Sequence, residues 1–191
     1  MAERSRDRDP FRIALTGGKT PRAVYGRLAE MNLEWPSWHV WWSDERLVPP
    51  DHPDSNERLA REALLSRVPV PDDQVHPSRS KDVELPEEFD LVLLGVGPDG
   101  HTASLYPGHD EELADPGPIV NVPEPGMPPP HPRLTFSLEY LNSQPLVAVL
   151  VGGEDKRDVL ARILAGDESL PATRVRARET VILADEAAAP G

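Results

Sequence analysis

The 191-residue chain contains no cysteine, which excludes disulfides, thiolate zinc sites and catalysis by a cysteine nucleophile. It also has no apolar run of transmembrane length, and its first ten residues lack the apolar core of a signal peptide. Positive charge is scarce, since 20 basic residues stand against 33 acidic ones and the formal net charge is −13. A broad nucleic-acid surface needs a basic face. We therefore expect no nucleic-acid partner, no membrane association and a cytoplasmic location.

Hydrophobic residues make up 38% of the chain, enough for a globular protein with a buried core. We expect one domain over residues 1–191, with residues 1–10 frayed and residues 108–132 forming a proline-rich flap or loop. The chain is expected to be a monomer or a small homo-oligomer. Its acidity does not exclude a small anionic substrate, because a few local cations outweigh the global field at short range.

Apolar segments that read as strands alternate with segments that read as helices. The predicted strands are Phe11–Leu15, Trp38–Ser43, Phe89–Gly95, Pro145–Gly153 and a final one from Thr180, with a shorter strand in "RLTF". This alternation predicts an α/β fold with three layers, a doubly wound and mainly parallel sheet covered by helices on both faces. In the first helix, Thr20 is the expected N-cap and Pro21 the first helical residue. The stretch that begins "DERLVPP" is predicted to be a long polar loop, followed by a helix over Glu57–Val68.

Glycine-rich or charged turns follow four of these strands: "TGGKTP", "SDER", "GVGPDGH" and "VGGEDK". Because the carboxyl ends of parallel strands lie along one edge of a sheet, we expect the four turns to meet there. Open α/β sheets bind their ligands at that edge. This convergence is the main structural argument for a binding site.

The turn formed by Gly17, Gly18, Lys19 and Thr20 suits a phosphate. Its glycines let a ligand approach the backbone, and the following helix offers free N–H groups and a positive dipole end. A plain strand-to-helix turn is the alternative. Arg46 can donate two parallel hydrogen bonds to a phosphate or carboxylate, or instead form an internal salt bridge with Asp44.

Lys156 lies near the first turn of a helix, where a cation is unfavourable for the helix itself. A bound anion would explain that placement, and chance explains it nearly as well. Ser55 in "PDSN" reads as an ordinary helix N-cap.

A single histidine, His101, follows the apolar strand in the turn that contains Gly97. It is a candidate general base, and a hydrogen-bonded loop histidine is the alternative. The other histidines, at positions 39, 52, 76, 109 and 131, show no metal-ligand spacing, so no metal site is assigned.

Taken together, these motifs resemble the 6-phosphogluconolactonases of the glucosamine-6-phosphate isomerase/6-phosphogluconolactonase family. "LTGGKTP", "WWSDERLVP", "FDLVLLGVGPDGHTASLYPG", "PRLTFSLEYLN", "VGGEDK" and "LPATRV" occur in the family's order, over nearly the whole chain. The run "HTASLYP" is similar to the lactonases rather than to the deaminases of the same fold, which typically continue with an Ile-Ala-Phe-Asn-Glu-Pro type of run.

The resemblance implies hydrolysis of 6-phospho-D-glucono-1,5-lactone, with His101 as the base that activates water. By the same resemblance, Asp44 and Asp99 orient their neighbours, and Arg46 and Lys156 hold the phosphate or the carboxyl-side oxygens. The residues expected to bind substrate are then Gly17, Gly18, Lys19, Thr20, Asp44, Arg46, Gly97, Arg133 and Lys156. The family needs neither a metal nor an organic cofactor, so a sugar phosphate is the expected partner.

Two departures from the family pattern concern the scaffold, and a third concerns single residues. The strand and helix that usually precede the Gly-Gly turn are missing ahead of Phe11, and residues 77–88 are too short and polar for the usual crossover helix. Lys19 stands where the family commonly has serine, and Met127 where a lysine often precedes the prolines. Two alternatives stay open: a glucosamine-6-phosphate deaminase or isomerase, and a non-catalytic sugar-phosphate binder.

Overall fold

A computed structural model of the chain describes residues 8–125 and 129–190. The strands are β1 Phe11–Leu15, β2 Trp38–Trp42, β3 Asp44–Arg46, β4 Leu91–Gly95, β5 Ile119–Val122, β6 Arg133–Phe136, β7 Leu146–Val151 and β8 Glu179–Ala184. The helices are α1 Lys19–Leu28, α2 Asn56–Ala63, α3 Asp110–Ala114, α4 Leu138–Ser143 and α5 Arg157–Leu164. Short 3-10 turns lie at Trp35–Ser37, Leu65–Arg67, Asp72–Gln74, Glu154–Lys156 and Pro171–Arg174.

The larger sheet is parallel and has the strand order β2-β1-β4-β7-β8 in the described part of the chain. Its central strand β4 is buried on both faces, because neighbouring side chains alternate between two hydrophobic clusters. Leu91 and Leu93 pack with α1 and α2, while Val92 and Leu94 pack with α4 and α5. Full burial of each leucine contributes about 1.5–3 kcal/mol. The predicted parallel sheet with helices on both faces is confirmed.

A smaller antiparallel sheet, with strand order β3-β6-β5, was not predicted. The stretch "DER", expected to begin a polar loop, is strand β3, and its Asp44 pairs with Thr135 of β6. The prediction was wrong because charged residues are depleted in strands. The pairing partner lies about ninety residues away, where no local pattern reveals it.

The first helix also begins earlier than expected. Gly18, with φ 110°, is the N-cap, and its carbonyl accepts the first helical hydrogen bond from Arg22 N at 3.1 Å. Thr20 is therefore inside the helix, and Pro21 is its third residue. The prediction of Thr20 as the cap was wrong because the positive φ of Gly18 turns the chain directly into the helix.

The region 108–132, expected to be a flap or loop, contains helix α3 and strand β5. The helix predicted over Glu57–Val68 ends at Ala63 and gives way to a 3-10 turn. Residues 77–88 contain no helix among the described positions, as their length and polarity predicted. The fraying expected for residues 1–10 concerns mainly residues 1–7, which lie outside the described residues, as does Met127.

Candidate active site

The turns after β1, β4 and β7 meet strand β3 at one cavity of about 460 Å³. Small-molecule sites usually occupy about 300–1,000 Å³. Among the residues predicted from the sequence, the cavity is lined by Gly17, Gly18, Lys19, Thr20, Asp44, Arg46, Gly97, His101, Arg133 and Lys156. Asp99 does not line it but contacts His101. The structure thus brings the predicted site residues together.

The turn after β4 fixes the His101 side chain. His101 Nδ1 lies 2.6 Å from Asp99 Oδ1, and the His101 backbone N–H donates to the same oxygen at 3.2 Å. Because a carboxylate only accepts, Nδ1 carries the proton, and Nε2 is the nitrogen left for a ligand. Gly97 is required here, since a Cβ at that position would lie 2.1 Å from His101 Nδ1.

Asp99 is held in its charged form by this contact. Partial burial raises the pKa of Asp99, but the hydrogen bonds and charge of His101 outweigh burial and lower the pKa below its ordinary value. An ionised Asp99 orients the ring and stabilises a positive imidazolium. The pair has the geometry of a general base with its orienting carboxylate.

The ring of His101 also packs on Tyr106, with centroids 4.8 Å apart. Tyr106 in turn lies under the guanidinium of Arg133, 5.7 Å from ring centroid to Cζ. Burial raises the pKa of Tyr106, so its hydroxyl keeps its proton at neutral pH. These contacts join the candidate base to the cationic part of the cavity.

Two arginines stand side by side on the antiparallel sheet. Arg46 of β3 and Arg133 of β6 are cross-strand partners, and Arg133 is only 3% exposed. Within residues 8–125 and 129–190, the buried Nε atoms of both arginines have no hydrogen-bond partner. Like charges directly opposite each other are destabilising, and burial together with Arg46 lowers the pKa of Arg133. An anion bound between them would relieve both costs.

The salt bridge considered between Arg46 and Asp44 is not formed among the described residues. Arg46 Nη1 instead donates to the backbone oxygen of Asp54 at 2.6 Å. Asp44 is buried and accepts from Ser104 Oγ at 2.7 Å and from Asn56 Nδ2 at 3.1 Å. Asp44 therefore joins β3 to the His101 loop and to helix α2, leaving Arg46 with donors for a ligand.

The glycine turn after β1 is shaped by a residue that the sequence analysis missed. Asn56 lines the cavity, and a Cβ at Gly17 would lie 1.9 Å from Asn56 Oδ1, so only glycine fits beside it. Its predicted neighbour Ser55 does cap α2, accepting from Arg58 N. The motif "PDSN" showed a cap, and only the fold shows that its last residue faces the site.

A second group of cations lies beside the start of α1. Lys19 is exposed, whereas Lys156 is 16% exposed and pairs with Asp155 at 3.3 Å. The turns that carry them are in contact, since a Cβ at Gly152 would lie 3.0 Å from the Thr20 side chain. The free N–H groups at the start of a ten-residue helix add to this positive region.

The buried carboxylate of Glu45 supports the site from outside the cavity lining. Glu45 accepts from the backbone N–H groups of Arg46, Asn56 and Glu57 at 2.7–2.8 Å and from Ser55 Oγ at 3.1 Å. Burial raises the pKa of Glu45, against the opposing effect of these backbone donors. The side chain ties β3 to the start of α2 and so fixes the loop between them.

Comparison with known proteins shows similarity to one enzyme family. The family model for glucosamine-6-phosphate isomerases/6-phosphogluconolactonase matches residues 1–183. A 6-phosphogluconolactonase of Nostoc sp. is 40% identical over 81% of this chain and 72% of its own length. One from Thermotoga maritima is 36% identical over 92% of this chain and 84% of its own.

Solved structures of this family have the same fold as the chain. A crystal structure of the Thermotoga maritima 6-phosphogluconolactonase superposes with a TM-score of 0.81 at 35% identity, covering 93% of this chain and 86% of that one. A monomeric glucosamine-6-phosphate deaminase has a TM-score of 0.80 at only 20% identity, over 98% and 90% of the two chains, and so shares the fold. No helix in the described ranges is both long and apolar enough to cross a membrane. The chain belongs to the glucosamine-6-phosphate isomerase/6-phosphogluconolactonase family.

Proposed function

We propose that this protein hydrolyses 6-phospho-D-glucono-1,5-lactone to 6-phospho-D-gluconate, the lactonase step of the oxidative pentose phosphate pathway. One observation carries the proposal: the His101–Asp99 pair opens on the same cavity as the cross-strand pair of Arg46 and the buried Arg133. A base at one side and concentrated positive charge at the other match a phosphorylated ester. The relatives from Nostoc and Thermotoga, both named 6-phosphogluconolactonase, support the same reaction.

In the proposed reaction, His101 Nε2 takes a proton from water as the water oxygen attacks the lactone carbonyl carbon. The tetrahedral intermediate then collapses with cleavage of the bond between C1 and the ring oxygen. His101 returns the proton to that ring oxygen, which becomes the hydroxyl of the open acid. Asp99 accepts from Nδ1 throughout and stabilises the transient imidazolium.

We assign the phosphate mainly to the cationic side of the cavity. A phosphate dianion neutralises two adjacent guanidiniums, whereas a lactone carbonyl carries only partial charge. Arg46 and Arg133 each leave a buried Nε without a hydrogen-bond partner among the described residues, and Lys156 with the turn at Gly17–Thr20 extends the positive surface. Holding the phosphate fixes the orientation of the lactone carbonyl relative to His101.

The expectations of one domain, a cytoplasmic location, no nucleic-acid partner and a monomer or small homo-oligomer stay predictions of the sequence. The proposed reaction itself draws on residues of this chain and water.

The test is turnover of freshly generated 6-phosphogluconolactone, coupled to 6-phosphogluconate dehydrogenase and corrected for spontaneous hydrolysis. The same preparation is incubated with glucosamine 6-phosphate and assayed for ammonia. We expect lactone turnover well above the spontaneous rate and no ammonia. Ammonia release without lactone turnover would make the chain a deaminase, and binding of 6-phosphogluconate without either reaction would make it a binder.

A further inference from the structure

Two histidines that are far apart in sequence meet one carboxylate beside the cavity. His131 Nε2 lies 3.0 Å from Asp54 Oδ2, and His52 Nδ1 lies 3.8 Å from the same oxygen and accepts a hydrogen bond from the Asp54 backbone N–H at 3.1 Å, which a bound ion would replace. One ligand atom from each of the three residues falls within 4.8 Å of the others. The two rings pack edge to face with centroids 5.1 Å apart. All three side chains are partly exposed, between 29% and 38%, so an ion in solution can reach them.

This arrangement was invisible in the sequence because 79 positions separate His52 from His131. It exists because β3 pairs with β6, which brings the segment after β3 against the segment before β6. The backbone N–H of Leu47 donates to the carbonyl of Pro132 at 2.8 Å and holds the two segments together. Backbone pairing therefore brings the two segments together, and the loop after Leu47 places His52 and Asp54 against His131.

We propose that His52, Asp54 and His131 form a binding site for a divalent transition metal ion of the zinc class. Two imidazoles and a carboxylate are a ligand set that such ions favour. Ligand atoms in a tetrahedral zinc site lie roughly 3.3 Å from one another, given bonds of about 2.0–2.1 Å. The separations of His131 Nε2 and His52 Nδ1 from the carboxylate oxygen, 3.0 and 3.8 Å, lie on either side of that value. Water completes the coordination, since three protein ligands leave a position open.

The site is distinct from the proposed catalytic machinery but is connected to it. The backbone oxygen of Asp54 holds Arg46, and His131 lies two residues before Arg133. A metal ion bound by the three side chains would clamp the two segments that present the cavity arginines. This inference goes beyond the proposed function, whose reaction uses no metal.

The test uses the full chain without a polyhistidine tag, stripped with chelator and titrated with Co²⁺ and Zn²⁺. We expect one Co²⁺ to bind with a visible absorption band of low-symmetry coordination, and Zn²⁺ to displace it. His131→Ala and His52→Ala should each weaken binding by about tenfold or more, because each removes a direct ligand. Circular dichroism confirms that each variant is folded.

His109→Ala is the matched control, because His109 also faces a carboxylate, Glu112 at 3.6 Å, without a second histidine. His76→Ala removes a member of the other histidine pair, whose ring nitrogens are 3.3 Å apart. His101→Ala tests binding at the candidate base. All three should keep the Co²⁺ band and affinity of the parent. The proposal is overturned if the parent binds no Co²⁺, or if His131→Ala and His52→Ala bind like the parent.

Discussion

The cavity is built by two sheets that contribute in different ways. The parallel sheet supplies turns at its carboxyl edge: the glycine turn before α1, the His101 turn after β4 and the Lys156 turn after β7. The antiparallel sheet supplies side chains from within its strands, chiefly Arg46, Arg133 and Asp44. In the proposed reaction the parallel sheet carries the base, and the antiparallel sheet carries most of the binding of the phosphate.

The two parts of the site differ in how their residues are positioned and in how stable they are without a ligand. The His101 turn is set locally, by Gly97 and by an Asp99 two residues away, so a short segment defines the base. The arginine pair is set by strand pairing over a long sequence distance and places the buried guanidinium of Arg133 opposite the half-buried Arg46. Such a pair is unfavourable without its anion, and it therefore serves a binding role better than a structural one.

The largest expected effect comes from removing the base. His101→Ala should lower kcat by about 10²–10⁴-fold, the usual contribution of general-base catalysis, with a smaller change in KM. Initial rates on 6-phosphogluconolactone measure it. A variant that keeps kcat within a few-fold of the parent would show that another group accepts the proton.

A subtler change to the same turn is Gly97→Ala. The added methyl would meet both His101 and Asp99, so the ring must move, and a displacement of about 1 Å can cost up to about 10²-fold in kcat. Gly26→Ala is the matched control, since Gly26 lies in α1 with its nearest contact at 4.0 Å. That control should keep full activity and gain about 0.5–1 kcal/mol of stability. Equal kcat values in the two variants would contradict the positioning role of Gly97.

On the antiparallel side, Arg46→Met should act on binding. Loss of a charge-assisted hydrogen bond to phosphate costs about 1.5–3 kcal/mol, so KM should rise roughly 10–100-fold with little change in kcat. Arg58→Met removes an equal charge from a side chain bonded to Glu62 and the Asp51 carbonyl, outside the cavity lining. An equal rise of KM in both variants would point to the general field of the protein and away from a direct contact.

The smallest effect concerns stability and pH. The pKa of Asp99 is lowered in the folded protein, so its ionised form stabilises the fold above the ordinary value of about 3.9, and this contribution disappears as pH falls through the lowered value. The parent should exceed Asp99→Asn in free energy of unfolding by less than about 1 kcal/mol, since the side chain is 38% exposed. Urea unfolding at about pH 5 and about pH 3 should show this advantage shrinking with acidification. A difference in free energy of unfolding that grew on acidification would contradict the lowered pKa of Asp99.

The sequence predicted the parallel sheet because its strands are continuous apolar runs and its turns are marked by glycine. The rule that strand ends share an edge grouped His101 with Lys156 and the Gly17 turn, and these residues line one cavity. Arg133 was named only through the resemblance to the family. The antiparallel sheet escaped prediction because β3 is three charged or polar residues long and pairs with a distant strand. For the same reason the sequence did not show that Asn56 faces the site, that Tyr106 packs against His101 or that His52 meets His131.

The claim that the antiparallel sheet binds the phosphate while the parallel sheet carries the base is tested most directly with two substrates and one variant. Arg133→Met and the parent are compared on 6-phosphogluconolactone and on glucono-1,5-lactone, which lacks the phosphate. The account predicts that the variant loses about 10–100-fold in kcat/KM on the phosphorylated lactone and changes little on the other. An equal loss on both lactones would contradict it, because Arg133 would then act on the reacting carbonyl or on the fold and not on the phosphate.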